Sequence, residues 1–221
     1  MIQEAENVLK LIPQQKLPGK EAQYKMAPEN RKYDPAGWPE IKMPRDSGVL
    51  ILIYPAENEL HTVFIQRHHY QGVHSNQVSL PGGKYEKTDK DLYQTALRET
   101  SEELGIDTAD IMFLSKLTPL FVPPSNFIIH PFVGYLPYRP VFHPDSKEVK
   151  SLFEVSFSEM LDEKKIQEKP ILFSNGEWHP TPCFVWKTYI VWGATAMIMS
   201  EFIELLKKCS SNGNFSNAAA T

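Results

Sequence analysis

The chain has 221 residues, 42% of them hydrophobic, which predicts one domain with an extension or two small domains, and enough apolar side chain for a sizeable core. Its net charge of -4 leaves no footprint for nucleic acid or an anionic membrane surface, so an anionic small molecule has to be met by local positive charge or a metal. Two cysteines are too few for a disulfide framework and fit a reducing, cytoplasmic setting, with Cys183 expected to be buried and Cys209 exposed.

In chain order, the first residues lack the basic region and apolar run of a signal peptide. No stretch reaches the roughly 18 uncharged apolar residues of a membrane span. Residues 1–46 are polar and rich in proline, and they read as an extension packing on the core. The first dozen predict a helix with Val8, Leu9, Leu11 and Ile12 on its apolar side, and the rest predicts extended chain over the surface.

The core is expected over 47–208. The apolar run Val49–Tyr54 predicts a buried strand, and Leu60–Arg67 a second strand ending on a positive charge. After a loop over 68–75, a short strand at Gln77–Leu80 leads into Pro81-Gly82-Gly83. Thr88 is a candidate helix cap, with Asp91 three residues on. Leu92, Ala96, Thr100 and Leu104 form the buried stripe of that helix, and Gly105 ends it. Strands are predicted at about 110–122, 127–136 and 149–155, a short helix over 156–164 and a longer one over 189–208. Residues 209–221 read as a disordered tail. Strands with helices interspersed define an α/β fold with a mixed sheet and helices on both faces.

Glu99, Glu102 and Glu103 stand at i, i+3 and i+4 and share one helical face. No lysine or arginine sits four residues after any of them. Such a face is either solvated or, because like charges repel, built around a divalent cation, with magnesium or manganese suiting oxygen ligands. The Pro-Gly-Gly turn ahead of the helix lets backbone approach a ligand closely.

Gly82-Gly83, a spacer, and Arg98-Glu99-x-x-Glu102-Glu103-x-Gly105-Ile106 together resemble the Nudix box of the Nudix hydrolases, which cleave nucleoside diphosphates linked to another group. Two features depart from the general box. Lys90 stands where a glutamate is usual, and the spacer is one residue longer. Asp89 or Asp91 is available as the missing carboxylate, which in the family supports the arginine. The long spacer resembles that of the coenzyme A diphosphatases, as do Arg67, His74, Gln77 and Pro81-Gly82-Gly83 at matching spacing, and the stretches Ile129–Gly134, His143–Val149 and Trp192–Ala196. Gly72 takes the place of a second arginine found in many members, Asn76 that of a glycine and Leu80 that of a phenylalanine.

The resemblance implies a Nudix-type α/β/α sandwich and a metal-dependent enzyme. The reaction it implies is hydrolysis of the diphosphate of coenzyme A or acyl-CoA to 3′,5′-ADP and a 4′-phosphopantetheine species. Magnesium or manganese would be held by Glu99, Glu102, Glu103 and a backbone carbonyl near Gly83. Glu102 or Glu148 would be the general base, with Glu102 favoured; Glu99 and Arg98 complete the catalytic set, Arg98 by holding a carboxylate. Arg67, His74, Gln77 and Gly82 would face the substrate. The implied partner is a small nucleotide, with no nucleic acid and no membrane, and a homodimer is left open. Rival readings are hydrolysis of ADP-ribose or a dinucleotide, and a binding module without turnover. Tyr70, Phe121 and Phe127 are candidates to stack on adenine, with core packing as the alternative. His61, His68, His69 and His74 fit no common zinc spacing.

Overall fold

The computed structural model describes residues 2–31, 43–68, 77–173 and 176–212. The amino-terminal segment folds into helix α1 (Ile2–Leu9), a turn at Ile12–Gln14, a short helix α2 (Lys20–Tyr24) and a turn at Glu29–Arg31. The expected helix is present, but the described residues that follow it, up to Arg31, form turns and a short helix where extended surface chain was expected. Ala22, Met26 and Ala27 recur at about one helical turn and are buried with Val8, Leu9 and Ile12. His74, Tyr70 and His69, three of the residues singled out in the sequence, lie outside the described residues.

Strands β1 (Arg45–Ala56) and β2 (Glu59–Arg67) form a hairpin whose two turn residues, Glu57 and Asn58, have φ of 49° and 64°. That left-handed pair matches the twist of the flanking strands. Then come β3 (Val78–Ser79), β4 (Gly82–Lys84) and helix α3 (Leu92–Leu104). Strands β5 (Met112–Lys116), β6 (Leu120–Val122), β7 (Phe127–Tyr135) and β8 (Val149–Ser156) follow, and helix α4 (Phe157–Leu161) closes this part. The single strand expected over 110–122 is broken at Leu117–Pro119, where the proline has no N–H to give a ladder.

The main sheet runs β3-β2-β1-β7-β5, with β4 beside β1, β6 beside β7 and β8 beside β2. β1 and β7 are parallel and the other ladders antiparallel, so the sheet is mixed as expected. Side chains of β1 alternate between its faces. Leu50, Leu52 and Tyr54 pack in one apolar cluster with Ala96 and Leu104 of α3. Ile51 and Ile53 pack in the other cluster with residues of the last helix, among them Met199, Phe202 and Leu206. A strand covered on both faces reads as an unbroken apolar run, which is why β1 was visible in the sequence.

A second sheet of β9 (Ile166–Leu172), β10 (Trp178–Trp186) and β11 (Tyr189–Trp192) is antiparallel and was not foreseen. The helix expected from Tyr189 therefore starts later. Tyr189-Ile-Val-Trp192 is aromatic and β-branched, pairs with Cys183–Trp186, and hands over to α5 (Gly193–Asn212) at a glycine with φ of 62°. α5 also runs past the expected end, so residues 209–212 are helix, not tail, and Cys209 is buried where an exposed thiol was expected. Its side chain belongs to the same apolar cluster as α1. Among the described residues no helix is long and apolar enough to cross a membrane.

Candidate metal and diphosphate site

Helix α3 is capped by Asp91, whose side chain accepts from the Gln94 amide, and not by Thr88 as expected. Gly105 ends it in the left-handed conformation, its N–H donating to Ser101 O, as the sequence predicted. Helix α3 lies against β1 and β4, and this brings the Gly82-Gly83 turn onto its acidic face. At Gly83 a Cβ would stand 2.4 Å from the carboxyl carbon of Glu99. At Gly82, with φ of 146°, a Cβ would meet the Gly48 carbonyl oxygen at 2.4 Å. Two glycines are therefore what lets the strand lie directly on the carboxylates.

The three glutamates differ in exposure, and this separates their roles. Glu103 is 1% exposed: one oxygen accepts from Arg67 Nη2 at 2.8 Å and the other from the Gly82 amide at 2.8 Å. Burial pushes it up to about 7, against the pull of Arg67 and the Gly82 amide, while Glu99 and Glu148 add repulsion. Glu99 is 17% exposed and is likewise pushed up by burial, opposed by Arg98. Glu102 is the open one, with 58% of its side chain exposed.

Arg98 is the hub of this face. It pairs with Asp89 through Nε at 2.9 Å, with Glu99 through Nη2 at 3.0 Å and with Glu102 through Nη1 at 3.0 Å, and it also donates to the Lys84 carbonyl. Asp89 is buried and accepts further from Thr95 Oγ1 and the Glu86 amide. Arg98 above all holds it down to about 2. The choice left open between Asp89 and Asp91 is thus resolved: Asp89 supports the arginine and Asp91 caps the helix.

The remaining expected site residues that are described converge on the same place, and His74 lies outside the described residues. Arg67, at the end of β2, donates to the Gly82 carbonyl as well as to Glu103. Gln77 gives its carbonyl to the Arg67 amide. Glu148 sits just before β8, exposed, and near enough to Glu103 to repel it. A cavity of about 340 Å³ opens beside this cluster, with Arg67, Gln77, Gly82 and Gly83 on its wall. Phe127 lines it and Phe121 does not. Trp192 lines it too, as does Arg31 of the amino-terminal segment. Arg31 carried no local signal, because only the fold brings it there.

No basic residue follows the three glutamates by four, but two guanidinium groups still meet the acidic face: Arg98, which stands four residues before Glu102 and was expected to hold a carboxylate, and Arg67 from another strand. Among the described residues no three carboxylate, imidazole or thiol groups already converge as a metal cage. The donor chemistry still fits a hard divalent cation. Among the described residues four carboxylates, Asp89, Glu99, Glu102 and Glu103, pair with two guanidinium groups, Arg67 and Arg98, and burial raises Glu99 and Glu103.

A mixed sheet between helices, with a glycine turn pressed on a carboxylate-bearing helix, defines an α/β domain with an acidic site. The chain belongs to the Nudix family: the NUDIX domain matches residues 44–174. It is 32% identical over 163 residues to Nudix hydrolase 22, chloroplastic, of Arabidopsis thaliana, covering 71% of this chain and 53% of that protein. It is 35% identical over 131 residues to the Nudix hydrolase NudL of Yersinia enterocolitica, covering 59% of this chain and 66% of that protein. The chain thus spans about half the length of the first relative and about two thirds of the second. Among solved structures, a MutT/nudix family protein from Enterococcus faecalis is 19% identical, with 87% of this chain and 73% of that chain covered at a TM-score of 0.46.

Proposed function

We propose that the protein hydrolyses the diphosphate of coenzyme A or its acyl forms, dependent on magnesium or manganese, to 3′,5′-ADP and 4′-phosphopantetheine or its acyl form. The observation that carries this reading is the graded carboxylate face of α3 beside a cavity walled by Gly82, Gly83 and Arg67. Family membership supports the class of reaction, and the spacing from Arg67 to Gly83 supports the substrate.

Glu99, Glu102 and Glu103 would hold a divalent cation, whose chemistry there would be to neutralise phosphate charge and to lower the pKa of water. Arg67 clamps Glu103 to the Gly82 backbone and so fixes the turn against the helix. Arg98, anchored by Asp89, sets the orientation of Glu99 and Glu102. Glu102, the one glutamate of the three open to solvent, takes the proton of the attacking water as a diphosphate P–O bond breaks.

Incubation with coenzyme A and magnesium or manganese is expected to release 3′,5′-ADP. Glu102→Gln is expected to lower kcat by at least about a hundredfold, the range of lost general-base catalysis, with the unfolding midpoint kept. A loss confined to Glu148→Gln would move the base to that loop. Preference for ADP-ribose or a dinucleotide over coenzyme A would overturn the substrate, and tight binding without turnover would overturn the enzyme.

A further inference from the structure

One cation reaches the cavity from outside the span matched by the family, and among the described residues it has no acidic partner. Arg31 closes the turn Glu29–Arg31 and lines the cavity whose wall also holds Gly82 and Gly83. Its guanidinium donates to the Phe121 carbonyl of β6. Among the described residues no carboxylate pairs with it, and none lines the cavity. Arg67 lines the same cavity but is committed to Glu103. Burial lowers the Arg31 pKa, as expected for a guanidinium drawn from water without a counter-charge. A cation so placed is unfavourable until an anion joins it.

The sheet sets the spacing between β6, whose Phe121 carbonyl Arg31 meets, and β4, which lies on the carboxylates. Lys84 of β4 pairs with Ser47 of β1, Ser47 with Ile129 of β7, and Ile129 with Leu120 of β6. Three strand steps at about 4.8 Å put the β6 edge roughly 14 Å from β4. One diphosphate is shorter than that backbone interval, which favours a separate anion at Arg31 over the group attacked at α3.

We infer that Arg31 is a specificity-determining residue that binds a second phosphate of the nucleotide, so that the amino-terminal segment completes the substrate site. This rests on the reading of the cavity as a nucleotide site. Two aromatic side chains on the cavity wall, Phe127 and Trp192, suit the base or ribose of such a ligand.

The test is calorimetric titration of the full chain with 3′,5′-ADP and with 5′-AMP, which differ only by the 3′-phosphate, in the presence of magnesium. The wild-type chain is expected to prefer 3′,5′-ADP. Arg31→Ala is expected to weaken 3′,5′-ADP roughly ten- to a hundredfold, the range for a lost charge-assisted contact, and to abolish the preference. Arg31→Lys is expected to restore part of it, which loss of the Phe121 contact alone would not produce. If Arg31→Ala lowers the unfolding midpoint, Arg31→Gln and Arg31→Lys carry the comparison. A wild-type chain with no preference, or variants that keep it, would overturn the inference. Coenzyme A turnover by the wild-type chain, measured alongside, separates the two claims: turnover with an Arg31-independent preference leaves the hydrolase standing without this site, and an Arg31-dependent preference without turnover does the reverse.

Discussion

Asp89 shows how a departure from a motif is made good one residue away. Lys90 occupies the position where an acid is usual, yet the loop turns so that Asp89 meets Arg98 with both oxygens, at 2.9 and 3.2 Å. The pair makes a stability claim. The folded pKa of Asp89 is about 2, below its ordinary 3.8, so its contribution is present above about pH 4 and is lost as pH falls toward 2. Urea unfolding between pH 5 and 2 is expected to show the wild-type chain losing stability more steeply than Asp89→Asn. Parallel curves would mean that the Arg98 pair contributes nothing to folding. The sequence narrowed this carboxylate to two neighbours and could go no further, because choosing between them depends on where the loop turns over Thr95.

At the scale of elements, α3 was legible because its signals are local: Leu92, Ala96, Thr100 and Leu104 at every fourth position, a glycine stop and carboxylates at i, i+3 and i+4. The β9–β10 hairpin was not. Its first strand, Ile166–Leu172, has no fully buried residue, and Pro170 faces Pro180 across the pair, so neither the alternation nor the usual absence of proline marks it as a strand. The amino-terminal helices were half legible, since Val8 and Ile12 announce an apolar side but not its partner. That partner is α5, and one buried carboxylate fastens the contact. Glu201 is fully buried and accepts from the Gly19 amide, Gln23 Nε2 and both the amide and hydroxyl of Thr118. Truncation to Glu201→Ala leaves several buried donors unpaired, at a cost of about 3 kcal/mol or more. For a chain of this size that is roughly 6–12 °C in Tm, read by circular dichroism. An unchanged midpoint would show that water replaces the carboxylate without loss.

At the scale of the whole molecule, the family match begins at residue 44, but the apolar core does not. Val8, Leu9, Ile12, Met26 and Ala27 share one cluster with Met199, Phe202, Leu206 and Cys209, so the two ends of the described chain bury each other on one face of the sheet. The larger of these amino-terminal side chains each bring about 1.5–3 kcal/mol on burial. Removing several of them is comparable with the roughly 5–15 kcal/mol that holds a whole domain together. The same removal takes away Arg31 and uncovers Glu201. A chain beginning at residue 32 is therefore expected to lose its cooperative thermal transition and to bind a hydrophobic dye, even though the matched span is complete in it. A sharp transition near the full-length midpoint would show instead that the sheet and α5 suffice, and that the first 31 residues serve only the cavity.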